Sequence, residues 1–153
     1  MTPCSHVQVT GSFPLAFAPD EAFPLFTPSG ERSWVDGWDP QFPSLTADET
    51  EPGTVFTTAH EPHLTTWVVA RHEGCHLIAY ANVTPGERAV LITVGLEPTP
   101  TGSTVTVTYD VTALAPAANV EVQEFAAGYV EYLDGWRDRI ARRGVPALVA
   151  GRS

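Results

Sequence analysis

The chain has 153 residues, a formal net charge of −10 and a hydrophobic fraction of 43%. This length is enough for one domain with a substantial core, and the hydrophobic fraction is typical neither of a disordered chain nor of a membrane protein. The acidic charge disfavours nucleic-acid and anionic-membrane partners, and no apolar run reaches the roughly 18 residues of a membrane-spanning helix.

The N-terminal segment and the cysteines indicate the compartment. Residues 1–11 contain no Lys or Arg and no apolar core segment, so we expect no signal peptide. Cys4 and Cys75 fit a reduced, cytoplasmic protein. The sequence leaves a disulfide between them open, because it cannot place their Cα atoms.

The first predicted element is a half-buried strand over residues 6–17, because large apolar side chains alternate there with polar ones. A short helical turn follows from Pro19 to Phe26, with Pro at the first helical position and acidic residues beside it. Residues 27–53 are irregular and rich in Pro, Gly and Trp. Further strands are predicted as a meander near 54–59, 64–72, 75–83, 88–97 and 103–113.

Short turn pairs separate these strands and suggest their register. The pairs are Glu61-Pro62, Glu73-Gly74, Pro85-Gly86 and Thr101-Gly102. If Glu73-Gly74 is a two-residue turn, Trp67 lies directly opposite Tyr80. If Thr101-Gly102 is another, Val94 lies opposite Tyr109. Both registers place large apolar side chains on one face of the sheet and the threonines of the last strand on the other.

Residues 116–143 predict one continuous helix that covers the apolar face of the sheet. Its apolar side chains recur at steps of three and four, namely Val122, Phe125, Tyr129, Leu133, Trp136 and Ile140. Arginines come late in the segment, and Gly144 with Pro146 ends the helix. At 1.5 Å per residue the helix is roughly 40 Å long, so it crosses the whole sheet and leaves space beneath it.

Residues 25–40 read LFTPSGERSWVDGWDP. Other distinctive segments are Gly53-Thr54-Val55-Phe56, Thr65-Thr66-Trp67-Val68-Val69, Tyr80 followed by Val83-Thr84-Pro85-Gly86, and Tyr132 to Trp136. In this order, from about residue 7 to residue 143, the chain resembles small bacterial members of the SRPBCC superfamily, the START-like and polyketide-cyclase-like proteins.

This resemblance implies an α+β helix-grip fold in a single domain, 1–153, with a core over about 7–143 and a tail over 144–153. In that fold a curved antiparallel sheet of about six strands packs on one long C-terminal helix, with short helices after the first strand. The sheet and the helix enclose a ligand cavity. The superfamily includes lipid and hormone carriers, aromatase/cyclases and oxygenase domains, so the resemblance implies a container and not a reaction.

Aromatic residues on the predicted inner faces are candidate ligand contacts, because Tyr and Trp carry polar groups that need partners when buried. They are Phe56, Trp67, Tyr80, Tyr109, Tyr129 and Trp136. The alternative is that they form a plain core. Trp34 and Trp38 are candidates for the cavity mouth, and the alternative is that they cover the sheet edge. Strand alternation places Asn82 and Arg71 on the inner face of the sheet, so they are candidate polar anchors for a ligand. The alternative is that both lie at strand ends and point into solvent.

Glu31 and Asp36 lie beside the two tryptophans, and either could act as an acid or base, the alternative being a cap on a local turn. His60 with His63, and His72 with His76, resemble metal-ligand spacings. The two clusters, however, lie at opposite ends of one predicted strand, about 25–30 Å apart. We therefore expect no metal and no cofactor.

Three functions of different classes follow from these observations. The favoured one is binding of a small hydrophobic molecule, aromatic or lipid-like, in the cavity. The second is a cyclase or dehydratase that acts on a polyketide-like or other hydrophobic substrate. The third is an interaction protein whose cavity is filled by side chains. The sequence leaves open whether the chain forms a homodimer.

Overall fold

The computed structural model describes residues 2–60 and 62–143. Six strands form one antiparallel sheet in the order β1-β6-β5-β4-β3-β2. They are β1 His6–Leu15, β2 Val55–His60, β3 His63–Glu73, β4 Leu77–Thr84, β5 Arg88–Thr99 and β6 Gly102–Ala113. The predicted meander is confirmed, and the first strand returns beside the last to complete the curved sheet.

The helices lie in two parts of the chain. After β1 come helix α1, Pro19–Ala22, and 3₁₀ helices at Phe23–Phe26 and Gly30–Ser33. After β6 come a 3₁₀ turn at Pro116–Ala118, helix α2, Asn119–Ala127, and helix α3, Tyr129–Arg142. No helix in the described ranges is long and apolar enough to cross a membrane. The predicted helix end at Gly144 and Pro146 lies outside the described residues.

The C-terminal helix is interrupted at Gly128, so the prediction of one unbroken helix over 116–143 is wrong there. Gly128 has φ −99° and ψ 16°, outside the helical region, and glycine is a weak helix residue because it has no Cβ. Hydrogen bonds from Gly128 N to Glu124 O and from Tyr132 N to Gly128 O, each 3.0 Å, span the interruption. The predicted apolar stripe is buried along both segments, with Phe125 partly buried.

The register of β3 with β4 differs from the prediction. Trp67 pairs with Asn82, and Tyr80 pairs with Val69. The turn after Glu73 is longer than two residues, and a bulge between Val69 and Arg71 adds one residue to β3. Together the longer turn and the bulge shift the register by two residues, so Trp67 and Tyr80 still share the concave face, with ring centroids 6.0 Å apart.

The β5–β6 register is shifted by two residues, so Tyr109 lies opposite Ile92 and not Val94. The turn falls at Pro100 and Thr101, and Gly102 already belongs to β6. A Cβ atom on Gly102 would lie 2.1 Å from the backbone oxygen of Leu15, so only glycine fits at this strand start. A shift of two keeps each side chain on its predicted face.

The concave face has two halves. In the closed half, formed by β1 and the first part of β6, helix α3 packs directly on the sheet. Gly11 permits this contact, because a Cβ atom there would lie 2.6 Å from Leu133 Cδ1. In the open half, formed by β3, β4 and β5, the helices and the sheet diverge. The candidate site lies in this open half.

Candidate ligand-binding cavity

A cavity of about 440 Å³ lies between the open half of the sheet, helices α2 and α3, and the segment after β1. Its floor comes from alternate residues of β3 to β6, namely Thr65, Trp67, Tyr80, Asn82, Thr84, Arg88, Val90, Ile92, Val94, Tyr109 and Val111. Its roof comes from Glu121, Val122, Phe125, Tyr132, Trp136 and Arg139 on the two helices. Glu31, Trp34, Val35 and Trp38 close one side.

Most of the ligand contacts expected from the sequence line this cavity: Trp34, Trp38, Trp67, Tyr80, Asn82, Tyr109 and Trp136. Phe56 and Tyr129 do not. Phe56 stacks behind Trp67 at 5.5 Å between ring centroids, and Tyr129 donates its hydroxyl hydrogen to Val107 O at 2.6 Å. Both are inward-facing as predicted, but they form core around the cavity rather than its wall.

Arg71 lies outside the cavity, contrary to the inner position that strand parity predicts. The bulge in β3 turns its side chain outward, where it is exposed and pairs with Glu73. The histidines are also peripheral: His63 Nδ1 lies 2.6 Å from Glu87 Oε2, and His72 stacks on Phe23. Both cysteines are free thiols.

Three of the cavity tryptophans are held in place by their indole N–H groups. Trp34 Nε1 donates to Leu25 O at 2.8 Å, Trp38 Nε1 to Pro28 O at 2.7 Å, and Trp67 Nε1 to Thr58 Oγ1 at 2.9 Å. Each polar group is therefore satisfied by the protein, and the rings offer the cavity their apolar surfaces. The rings also brace one another edge to face, with Trp38 and Trp67 at 5.4 Å and Trp34 and Trp136 at 5.2 Å.

Three tyrosine hydroxyls are already engaged within the protein. Tyr80 donates to Phe26 O at 2.6 Å, and the hydroxyls of Tyr109 and Tyr132 lie 3.0 Å apart. Burial raises the pKa of Tyr80 and of Tyr109 above the ordinary value of 10, and the charge of Glu31 contributes in the same direction. Tyr80 and Tyr109 are therefore neutral over the physiological range and act as hydrogen-bonding groups.

Asn82 is a polar side chain whose position matches an anchor. It is buried on the cavity floor at 8% exposure, yet its amide makes no hydrogen bond to another described residue. An amide that faces the cavity can donate to, or accept from, a ligand with a matching group. Asn82 can therefore fix the orientation of a bound molecule.

Glu31 brings a carboxyl group to the cavity. It belongs to the 3₁₀ helix Gly30–Ser33, and residues three apart on such a helix point to the same side, so Glu31 accompanies Trp34. Gly30 allows the segment to approach, since a Cβ there would lie 1.7 Å from Pro24 O. Burial raises the pKa of the Glu31 carboxyl group well above its ordinary value of 4.5. Asp36, the other acid that the sequence suggests, is exposed and does not line the cavity.

Solved structures share the fold of this chain at low sequence identity. Protein MLL2253 from Mesorhizobium loti is 15% identical and has a TM-score of 0.66, covering 89% of this chain and 98% of its own. CalU16 from Micromonospora echinospora is 16% identical, with a TM-score of 0.55 and coverage of 94% and 80%. Norcoclaurine synthase from Thalictrum flavum is 13% identical, with a TM-score of 0.60 and coverage of 94% and 88%.

This chain has the helix-grip fold. No protein-family model and no curated protein sequence matches the chain. At these identities the likeness concerns the fold, so the function must be argued from the cavity.

Sequence reasoning missed several lining residues of the helix-grip cavity. Tyr132 and Arg139 lie four residues before and three residues after Trp136, on the same helical face, so extending the stripe would have found them. Arg88 lines the opposite end, where it pairs with Glu87 at 3.3 Å and Glu121 at 3.8 Å. Arg88 and Glu121 gave no such sequence signal, because their position depends on how the helices cross the sheet.

Proposed function

We propose that this protein binds a small hydrophobic molecule, aromatic or lipid-like, in the cavity between the sheet and the C-terminal helices. The observation that carries the proposal is the aromatic cavity of about 440 Å³. Small-molecule sites have volumes of roughly 300–1,000 Å³ and combine apolar walls with a few polar groups. Here most of the lining residues are aromatic or aliphatic, and the polar groups among them include Asn82 on the floor and Glu31 at the side.

The open volume argues against an interaction protein whose cavity is filled by side chains. The large rings that could fill the space are held at its walls by the indole hydrogen bonds and by edge-to-face contacts. Native interiors are close-packed, so a cavity of this size is a feature of a ligand site and not of a core filled by side chains.

A neutral apolar dye, N-phenyl-1-naphthylamine, tests the proposal. We expect it to bind the folded protein with a Kd in the micromolar range, about −8 kcal/mol. Burying ~200–300 Å² of apolar dye surface at roughly 25 cal/mol per Å² supplies 5–8 kcal/mol before association costs, so aromatic contacts must add to area burial. Native mass spectrometry of the freshly purified protein would identify a co-purified ligand.

Two tryptophan substitutions on one strand provide a matched control. Val90 faces the cavity, whereas its neighbour Leu91 is exposed on the opposite face of β5. Val90→Trp should fill the space and abolish dye binding at a stability cost of about 1–3 kcal/mol, while Leu91→Trp should leave binding intact. Equal binding by both variants would place the dye on the surface and refute the cavity proposal.

Glu31 favours one alternative, an enzyme of the cyclase or dehydratase class. A carboxyl group with a raised pKa in an apolar site is a candidate general acid or base. If the protein is an enzyme, Glu31→Gln should retain a precursor whose mass differs from that of the molecule carried by the unaltered protein. Identical masses in both proteins would support binding without conversion.

A further inference from the structure

The composition of the cavity wall beside Glu31 indicates which sign of charge a bound ligand carries. It combines one carboxyl group with the indole rings of Trp34, Trp38 and Trp67. The three indole N–H groups donate to protein acceptors, so what the indoles present to the cavity, beside the carboxyl group of Glu31, is aromatic ring surface. Aromatic faces attract cations through the ring quadrupole, and they do so most strongly where water is excluded.

No side chain in the described part of the chain forms an ion pair or hydrogen bond with the Glu31 carboxyl group. The adjacent Arg32 is directed elsewhere, with its guanidinium bonded to Asp39 Oδ1 at 3.2 Å and to Pro40 O at 3.0 Å. Arg88 at the far end of the cavity pairs with Glu87 and Glu121. A partly buried carboxylate without a counter-ion costs folding free energy, and burial accordingly raises its pKa well above the ordinary value.

Arg139 also reaches the cavity, and it raises the opposite possibility of an anionic ligand. Its guanidinium folds back along α3, where Nη1 would lie 3.5 Å from a Cβ atom on Gly135. Its Nε is buried and unpartnered, but so is the Nε of Arg143, which lies over the ring of Phe17 away from the cavity wall. An unpartnered arginine Nε is therefore no specific sign of a ligand in this chain. The net charge of −10 further favours attraction of cations.

We propose that the ligand is a hydrophobic organic cation, such as an aromatic amine or quaternary ammonium, with Glu31 as its counter-ion and the neighbouring indoles as its cage. This inference rests on the proposed binding function and specifies the charge of the molecule. The ligand cation serves as the counter-ion of the Glu31 carboxylate. The tethered indoles hold their faces in place before the ligand arrives, which reduces the ordering cost of binding.

Three probes of nearly equal shape and different charge test the proposal by competition with N-phenyl-1-naphthylamine. They are benzyltrimethylammonium, its neutral carbon analogue neopentylbenzene, and the anion phenylmethanesulfonate. Glu31→Gln should weaken binding of the cation at least about tenfold and change that of neopentylbenzene by less than about twofold. Asp36→Asn, which alters an exposed acid of the same segment, should change neither. Val90→Trp should abolish binding of both.

Calorimetry gives a second, independent measurement. The other titratable or charged groups that line the cavity are Tyr80, Tyr109, Tyr132, Arg88, Arg139 and Glu121. Below the pKa of Glu31, binding of the cation should release a proton, so the measured heat depends on the ionisation enthalpy of the buffer. Glu31→Gln should remove that dependence, whereas an unchanged dependence in the variant would assign the proton to one of the other groups and overturn the role of Glu31.

The outcomes separate the two proposals. If the dye and neopentylbenzene enter the cavity but Glu31→Gln leaves the affinity of the cation unchanged, the inference about charge is wrong and the binding function stands. Tighter binding of phenylmethanesulfonate than of the cation, weakened by Arg139→Gln, would also overturn the inference and assign the anionic class. If neither neutral compound enters the unaltered protein, the binding function itself fails.

Discussion

In both halves of the concave face, alternate residues of the strands point inward. In the closed half these residues pack against helix α3, whereas in the open half they line the cavity. In the closed half, Gly11 lets α3 approach β1 until Leu133 packs against the sheet. In the open half, the residues at equivalent positions, Trp67, Tyr80 and Asn82, line the cavity. Strand alternation decides which side chains point inward, and the distance of the helix decides whether they form a core or a binding wall.

The aromatic residues at the boundary explain why the open half stays open. Trp34 packs edge to face on Trp136 of α3, and Tyr109 of β6 contacts Tyr132. Indole and phenol rings are rigid and wide, and the Trp34 N–H group and the two tyrosine hydroxyls are hydrogen-bonded within the protein, so these rings keep the helix away from β4 and β5. Closing this gap would require these rings to lose their hydrogen bonds.

The largest effect on stability is expected from Leu133→Ala in the closed half. The substitution leaves a cavity in a packed region and should reduce the free energy of unfolding by about 2–5 kcal/mol. Because Leu133 does not line the ligand cavity, the folded variant should bind N-phenyl-1-naphthylamine with nearly unchanged affinity. Urea denaturation and dye titration measure the two quantities. A large loss of dye affinity would show that the two halves are coupled.

An intermediate, pH-dependent effect is expected from Glu31→Gln in the open half. The pKa of Glu31 is raised in the folded protein, so its contribution to stability is fully present below its ordinary value of 4.5 and is lost as the pH rises through the folded-state pKa. Each unit of difference between the two pKa values corresponds to about 1.4 kcal/mol. Glu31→Gln should therefore be more stable than the unaltered protein at neutral and higher pH.

The free energy of unfolding of the unaltered protein and of Glu31→Gln is measured by denaturation at several pH values. The difference between the two proteins at each pH isolates the contribution of Glu31, because the other acids are the same in both. Asp36→Asn serves as the control, because Asp36 is exposed and should show a flat difference. If the Glu31→Gln difference is also flat across the range, the carboxyl group is solvated, and both its raised pKa and its counter-ion role are wrong.

The smallest effect concerns two tyrosine hydroxyls, one from each half. Tyr129→Phe leaves the buried Val107 oxygen without its side-chain donor and should cost about 1–3 kcal/mol. Tyr132→Phe removes a bond to the Tyr109 hydroxyl from a side chain that is 38% exposed, and it should cost about 0.5–1.5 kcal/mol. The reverse order of the two costs in urea denaturation would contradict the assignment of Tyr129 to the packed half.

The fold could be predicted from the sequence because alternation and helical spacing are strong over long segments. The strands, their order along the meander and the buried stripe of the C-terminal helix follow from those patterns. The register could not be predicted, because it depends on one additional residue in the β3 bulge and on the exact residues of two turns. The bulge in β3 turns the Arg71 side chain into solvent, whereas the sequence predicted an inward position.

For the candidate site, the sequence predicted which residues point to the inner face of the sheet, but not which of those residues line the cavity. Parity identifies Phe56 and Trp67 equally, yet Trp67 lines the cavity and Phe56 lies behind it, because depth depends on the packing of a third element. The sequence also named Glu31 and Asp36 as equal candidates. Only the turn geometry of the Gly30–Ser33 helix directs Glu31 inward and leaves Asp36 exposed.

One consequence of the cavity wall is spectroscopic. The chain has four tryptophans, Trp34, Trp38, Trp67 and Trp136, and every one lines the cavity. Their emission therefore reports on a single environment, without the background of a distant indole. Close ring pairs, such as Trp34 with Trp136 at 5.2 Å, should also give coupled bands in near-ultraviolet circular dichroism. The unlabelled protein is thus its own sensor of occupancy, and natural extracts can be screened by following these signals alone.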